Sequence, residues 1–93
     1  MSKSNIQADV VRRILEFSDE YCSWTHLQNL RAGDVVLYCG ALLRITEDAH
    51  RSINDQAAYI ARCEYIAGDP VLLSYDYFKA VPFYPFLVVN KIP

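Results

Sequence analysis

The side chains of this 93-residue chain best suited to metal binding or nucleophilic chemistry are three cysteines and two histidines. Cys22 and His26 stand in a Cys-x-x-x-His spacing that could give two ligands to one ion. A structural zinc takes four, commonly as closely spaced pairs. Cys39 and Cys63 are isolated in apolar runs and read as small buried hydrophobes. A nucleophilic thiol needs an exposed, electropositive setting that lowers its pKa, and the sequence singles out no cysteine for that role. The acid pairs Asp19-Glu20 and Glu47-Asp48 lie in polar segments and read as solvated surface. There is no Gly-rich phosphate loop. The expectation is a non-enzymatic chain with no catalytic set, no metal and no cofactor.

Aromatic residues give the stronger signal. Tyr75-x-Tyr77-Phe78 and Phe83-Tyr84-x-Phe86 together hold half of the aromatic side chains. Phe78, Phe83 and Phe86 read as a plug for one end of the core. Tyrosine is harder to bury, because its hydroxyl needs a partner. Tyr75, Tyr77 and Tyr84 therefore read as a contact surface, with Pro82 and Pro85 stiffening the loop that presents them. Asp69 and Asp76 nearby favour a basic partner surface. A nucleic-acid face is the alternative, with Arg44, Arg51 and Arg62 on phosphates and Tyr59 stacking on bases. The net charge of −2, with both signs dispersed along the chain, disfavours it.

These residues need a scaffold, and the sequence supplies one domain over residues 1–93. An apolar content of 53% is enough for a core. Odd, unpaired cysteines and a polar N-terminus without a signal-peptide pattern imply reduced thiols in a cytoplasm. No apolar run approaches the ~20 residues of a membrane-spanning helix, so no membrane partner is expected.

Ile6, Val10, Ile14, Phe17 and Tyr21 recur at helical spacing, with Ser4 and Gln7 placed as a capping box. This predicts an amphipathic helix from about residue 5 to about 22. Val11 and Leu15 widen its apolar stripe, and a stripe reaching the surface would pair two copies into a homodimer. Residues 23–33 read as a connector, in which Thr25 and Gln28 cap one helical turn and Trp24, Leu27 and Leu30 plug the end of a barrel. Residues 34–93 read as a β region.

The β region begins with a hairpin. Gly33-Asp34 turns the chain into Val35-Val36-Leu37-Tyr38-Cys39, and Gly40-Ala41 turns it back into Leu42-Leu43-Arg44-Ile45-Thr46. A Gly-X pair predicts a type II′ turn. Alternation puts Val35 and Leu37 on one face and Val36 and Tyr38 on the other. A first strand apolar on both sides predicts a central position. Residues 47–56 read as an exposed loop or hairpin tip and residues 57–66 as a third strand. Residues 67–70 read as a turn, 71–75 as a fourth strand, 76–85 as irregular, and 86–90 as the last strand.

Leu30-x-x-Gly33-Asp34-Val35-Val36 followed by Tyr38-x-Gly40-x-Leu42-x-Arg44-Ile45 resembles the small SH3-like barrels, including KOW-type modules of short phage and mobile-element proteins. The resemblance covers residues 30–46. With one helix followed by about five short strands, the expected fold is α+β, the N-terminal helix lying on a small, strongly bent antiparallel sheet or SH3-like barrel. The resemblance adds Tyr38, Tyr59 and the loop over residues 47–56 to the candidate ligand face. It also implies an accessory protein that binds and blocks a host protein or protein–nucleic-acid complex, of the anti-CRISPR or anti-restriction kind.

Overall fold

The computed structural model describes residues 8–92. The capping-box pair Ser4 and Gln7, and Ile6 of the helical stripe, lie outside these residues. The first helix, α1, spans Ala8–Glu16 and is followed at once by a single turn, α2, over Ser18–Tyr21. The expected continuous helix breaks at Phe17, whose φ of −124° and ψ of 48° leave the helical region. Phe17 is consequently exposed instead of lying on the buried stripe.

Seven strands follow: β1 (Cys22–His26), β2 (Val35–Tyr38), β3 (Ala41–Ile45), β4 (His50–Arg51), β5 (Tyr59–Gly68), β6 (Tyr77–Ala80) and β7 (Pro85–Val89). All pairings are antiparallel, along the path β1-β7-β2-β3-β5-β4, with β6 joined to β5. The fold is α+β. Among the described residues no helix is long and apolar enough to cross a membrane.

The hairpin forms the centre. β2 lies between β7 and β3, as its two-sided apolar pattern predicts. Val36 and Tyr38 face one core with Leu43 and Ile45, while Val35 and Leu37 face a second with Leu42. The Gly33-Asp34 turn is fastened locally. Gly33 takes a φ of 99°, and the Asp34 carboxylate accepts the Arg31 N–H at 2.8 Å. The reversal itself differs from the expected type. Tyr38 pairs with Ala41, so Cys39 and Gly40 are the central residues, at φ 50° and 80°. Positive φ at both positions makes this a type I′ turn, whose twist matches that of the flanking strands.

β5 organises the remainder. Its first four residues pair with β6, and its later residues pair with β3. One ten-residue strand thus passes from one sheet into another. A register shift opposite Leu42 and Leu43 directs both Ile66 and Ala67 toward the second core.

Further expectations fail. The connector contains β1, because Cys-Ser-Trp-Thr-His pairs residue for residue with β7. Its Trp24 is 69% exposed, whereas Leu27 and Leu30 are fully buried around a 3₁₀ turn at Leu27–Asn29. Strand spacing rather than helical spacing therefore sets the direction of Trp24. Residues 71–75 are not a strand: Pro70–Leu72 forms a 3₁₀ turn, with the Asp69 carboxylate accepting the Val71 N–H at 3.0 Å. The strand of this region comes later, as β6, in the stretch expected to be irregular.

Candidate functional site: an aromatic groove along β6

The inner core ends in rings. Phe78 of β6 and Phe86 of β7 are 4% and 3% exposed, with centroids 4.8 Å apart. Tyr38, at the end of β2, meets Phe78 edge-on at 5.1 Å and Phe86 at 5.8 Å. Tyr75 stacks at 6.0 Å from Tyr38, and Tyr84 meets Phe86 edge-on at 5.3 Å. Tilted and edge-on contacts at these distances suit the ring quadrupoles. Five rings thus form one continuous network from core to solvent.

Between them lies a groove of about 570 Å³. Residues 74–80, Tyr38, Tyr84 and Phe86 line it. Tyr75, Tyr77 and Tyr84 rise at its rim, 38%, 46% and 40% exposed. Asp76 and Lys79 are its charged lining residues. A second groove of about 300 Å³ shares Tyr38, Tyr84 and Phe86 with the first and extends to Trp24 and Leu87. Trp24, Leu87 and Leu37 stand in register across β1, β7 and β2, which carries this second surface onto the other face of the sheet.

The hydroxyl of Tyr38 is pushed up to about 12, chiefly by burial and then by the neighbouring Tyr75 and Cys39. It is a neutral hydrogen-bonding group at physiological pH. The Cys63 thiol beneath the groove is pushed up to about 11, first by burial and then by the Asp76 carboxylate. Burial likewise raises the Cys22 thiol. Both thiols are held protonated, the reverse of nucleophilic activation.

Of the candidate contact residues, Tyr38, Tyr75, Asp76, Tyr77 and Tyr84 line this one groove. Tyr59 does not: it lies half-buried on β5 beneath Arg51, whose guanidinium sits 5.2 Å from its ring. Register splits the three arginines, with Arg51 on the face of Tyr59 and Arg44 and Arg62 on the other. Arg44 pairs with Glu64 at 3.4 Å. Arg51 stands opposite Tyr59 in register and donates to the Gln56 carbonyl. Arg62 projects from the other face of β5, as the two-residue alternation requires.

Cys22 and His26 occupy the ends of β1. Four residues of extended chain separate their backbones by about 13 Å, too far for one ion. Among the described residues no cluster of three or more metal-binding side chains occurs. Val11 is buried against Ile14, Cys22 and Leu42, so it does not extend the helix stripe onto the surface.

Two aromatic residues depart from the sequence expectations. Phe83, assigned to the core plug, is 62% exposed. Trp24 reaches the groove system from β1, and the β-forming Ser-Trp-Thr triplet is the signal that points to it. Compared with known proteins, the chain matches no family model, no curated protein and no solved structure.

Proposed function

We propose that this chain is a small protein-binding module and that the groove along β6 is its contact surface. The observation that carries the reading is the union of exposed and buried rings. Tyr75 and Tyr84, 38% and 40% exposed, pack on a floor of Phe78 and Phe86 that belongs to the core, and Tyr77, 46% exposed, stands beside them. Rims fixed in this way lose little side-chain entropy on binding, and tyrosine combines apolar area with a hydroxyl that meets polar groups. Such residues are enriched where proteins bind proteins. The lining offers two side-chain charges of opposite sign, which suits a polypeptide surface better than a polyanion.

The finer reading of the fold is a bent SH3-like sheet with α1 across one face. The central hairpin and the passage of β5 between two sheets support it. The resemblance over residues 30–46 extends the proposal to the partner. The module acts as an inhibitor that occupies a host defence complex, of the anti-CRISPR or anti-restriction kind.

The test is retention of a defined protein complex from bacterial lysate by the tagged chain, with and without nuclease. The Tyr77→Ala, Tyr84→Ala double variant is expected to lose that complex while keeping its fold. Equal retention by the double variant rejects the groove as the contact surface. Recovery that vanishes with nuclease, and that falls steeply with salt, replaces the reading with a nucleic-acid-binding module.

A further inference from the structure

We infer that the groove takes its partner as a β-strand: an extended segment of a partner protein pairs with the free edge of β6 and sets a basic residue beside Asp76. The inference deepens the binding reading above and rests on it.

The argument begins with the hydrogen-bond alternation of β6. The Cys63 N–H donates to the Asp76 carbonyl at 3.0 Å. Residues opposite one another in an antiparallel ladder alternate between hydrogen-bonded and non-hydrogen-bonded pairs. Counting along the register, Ala61 with Phe78 and Tyr59 with Ala80 are the bonded pairs. The N–H and C=O groups of Tyr77 and Lys79 therefore point away from β5. Among the described residues those four groups meet no backbone partner, and β6 pairs with no strand besides β5.

The groove follows this edge. Residues 74–80 line it without interruption, so the outward backbone of β6 forms one of its walls. Four strand residues offer about 13 Å of edge, enough for a short added strand. A partner strand there satisfies the two donors and two acceptors, and its inward side chains reach Tyr38 and Phe86. Main-chain bonds supply affinity and the pockets supply choice, as strand addition requires.

Two features limit the occupant. The described ion pairs are Arg44 with Glu64 and His50 with Glu47, so the Asp76 carboxylate in the groove has no cationic partner among the described residues. A basic residue in the incoming segment complements it. Lys79 on the edge further discourages indiscriminate pairing.

The probe is a library of random twelve-residue peptides, selected against the immobilised full chain and remade synthetically. Enriched peptides are expected to alternate apolar and polar residues and to carry Lys or Arg. Lys79→Pro removes one outward N–H and should weaken them about tenfold or more, whereas Lys79→Ala keeps that N–H and should cost less than about threefold. Proline is tolerated there because it sits on an edge and displaces no pairing bond. N-methylation of alternate peptide residues repeats the test on the unaltered protein, so a poorly folding variant does not decide it. Asp76→Asn should weaken the basic peptides several-fold at low salt.

Equal binding by Lys79→Pro and Lys79→Ala, indifference to N-methylation, or a selection that enriches nothing overturns the strand assignment. Self-association of the chain that Lys79→Pro abolishes also overturns it, by making the occupant a second copy. Sensitivity to Tyr84→Ala alone preserves the groove reading and rejects the strand. Sensitivity to Lys79→Pro alone preserves the strand and rejects the aromatic groove.

Discussion

The two faces of β2 meet different surroundings. Val35 and Leu37 turn toward α1, where Val11 and Ile14 close the layer over Leu42. Val36 and Tyr38 turn toward the larger core, which aliphatic side chains fill at one end and aromatic rings at the other. The helix-covered face is sealed by a dedicated element. The aromatic end has none, and its rings run from fully enclosed Phe86 to half-exposed Tyr77. The difference separates stability from binding. On the sealed face a buried residue serves the core alone. At the open end, floor residues serve both core and groove, and rim residues serve the groove alone.

The largest effects should come from the floor. Phe78→Ala removes a ring packed on Tyr38, Tyr75 and Phe86, and should lower unfolding free energy in urea by about 3–5 kcal/mol. Ile14→Ala on the sealed face should cost about 2–5 kcal/mol by the same measurement, because Ile14 is fully buried. The comparison breaks if Phe78→Ala costs less than about 1 kcal/mol, since the floor would then not belong to the core. Phe83→Ala should stay within about 0.5 kcal/mol, in keeping with its exposure.

The junction where the end of β5 meets the hairpin ranks next. Gly68 adopts a φ of 102°, and an added Cβ would lie 2.5 Å from the Gly40 carbonyl oxygen and 2.7 Å from the Ala41 Cα. Both contacts are backbone, so no side chain can swing aside. Gly68→Ala should lower stability by about 2–3 kcal/mol and displace the hairpin tip that carries Tyr38. A variant of unchanged stability in a thermal melt would show that the two backbones part freely.

Much of the sealed face is legible in the order of its residues. Val10 and Ile14 announce a helix, and the alternation of β2 and β3 assigns every side chain to its face. The long strand β5 is legible too, from its alternating small and aromatic residues. The open end is less so. Tyr77-Phe78-Lys79-Ala80 does alternate, but four residues before Pro82 are too few to outweigh the turn signals around them. β1 is hidden because Trp24, Leu27 and Leu30 also fit a three-residue spacing. The tyrosines of the groove can be nominated by type, whereas their convergence on one groove depends on long-range pairing of β6 with β5 and β7 with β2. No local pattern encodes that pairing.

Alkali acts on the larger core through two titrating groups. Cys63 is held at about 11 and Tyr38 at about 12, against ordinary values of 9.0 and 10.0. Between pH 9 and 12 the unfolded chain therefore binds fewer protons than the folded one. Stability present below pH 9 should fall across that window, first with Cys63 and then with Tyr38. The loss attributable to Cys63 is on the order of 2 kcal/mol and should disappear in Cys63→Ala, although that variant starts from a lower stability. Urea titrations at pH 7, 9 and 11 measure it. An identical alkaline loss in Cys63→Ala assigns the effect to other groups.

The smallest predicted effect is the most informative about the rim. Tyr84 meets Phe86 edge-on, whereas Tyr77 has no ring within stacking distance among the described residues. Removing Tyr84 should thus forfeit one aromatic contact, worth about 0.5–1.5 kcal/mol. Removing Tyr77 should fall within about 0.5 kcal/mol of zero, because its side chain projects from the outer face of an edge strand. If both residues serve the groove, the order should not carry over to binding, where each forms one side of the rim. A Tyr77→Ala variant with unchanged stability and weakened binding separates presentation from support within a single side chain. One that binds normally confines the contact surface to Tyr75, Tyr84 and Tyr38.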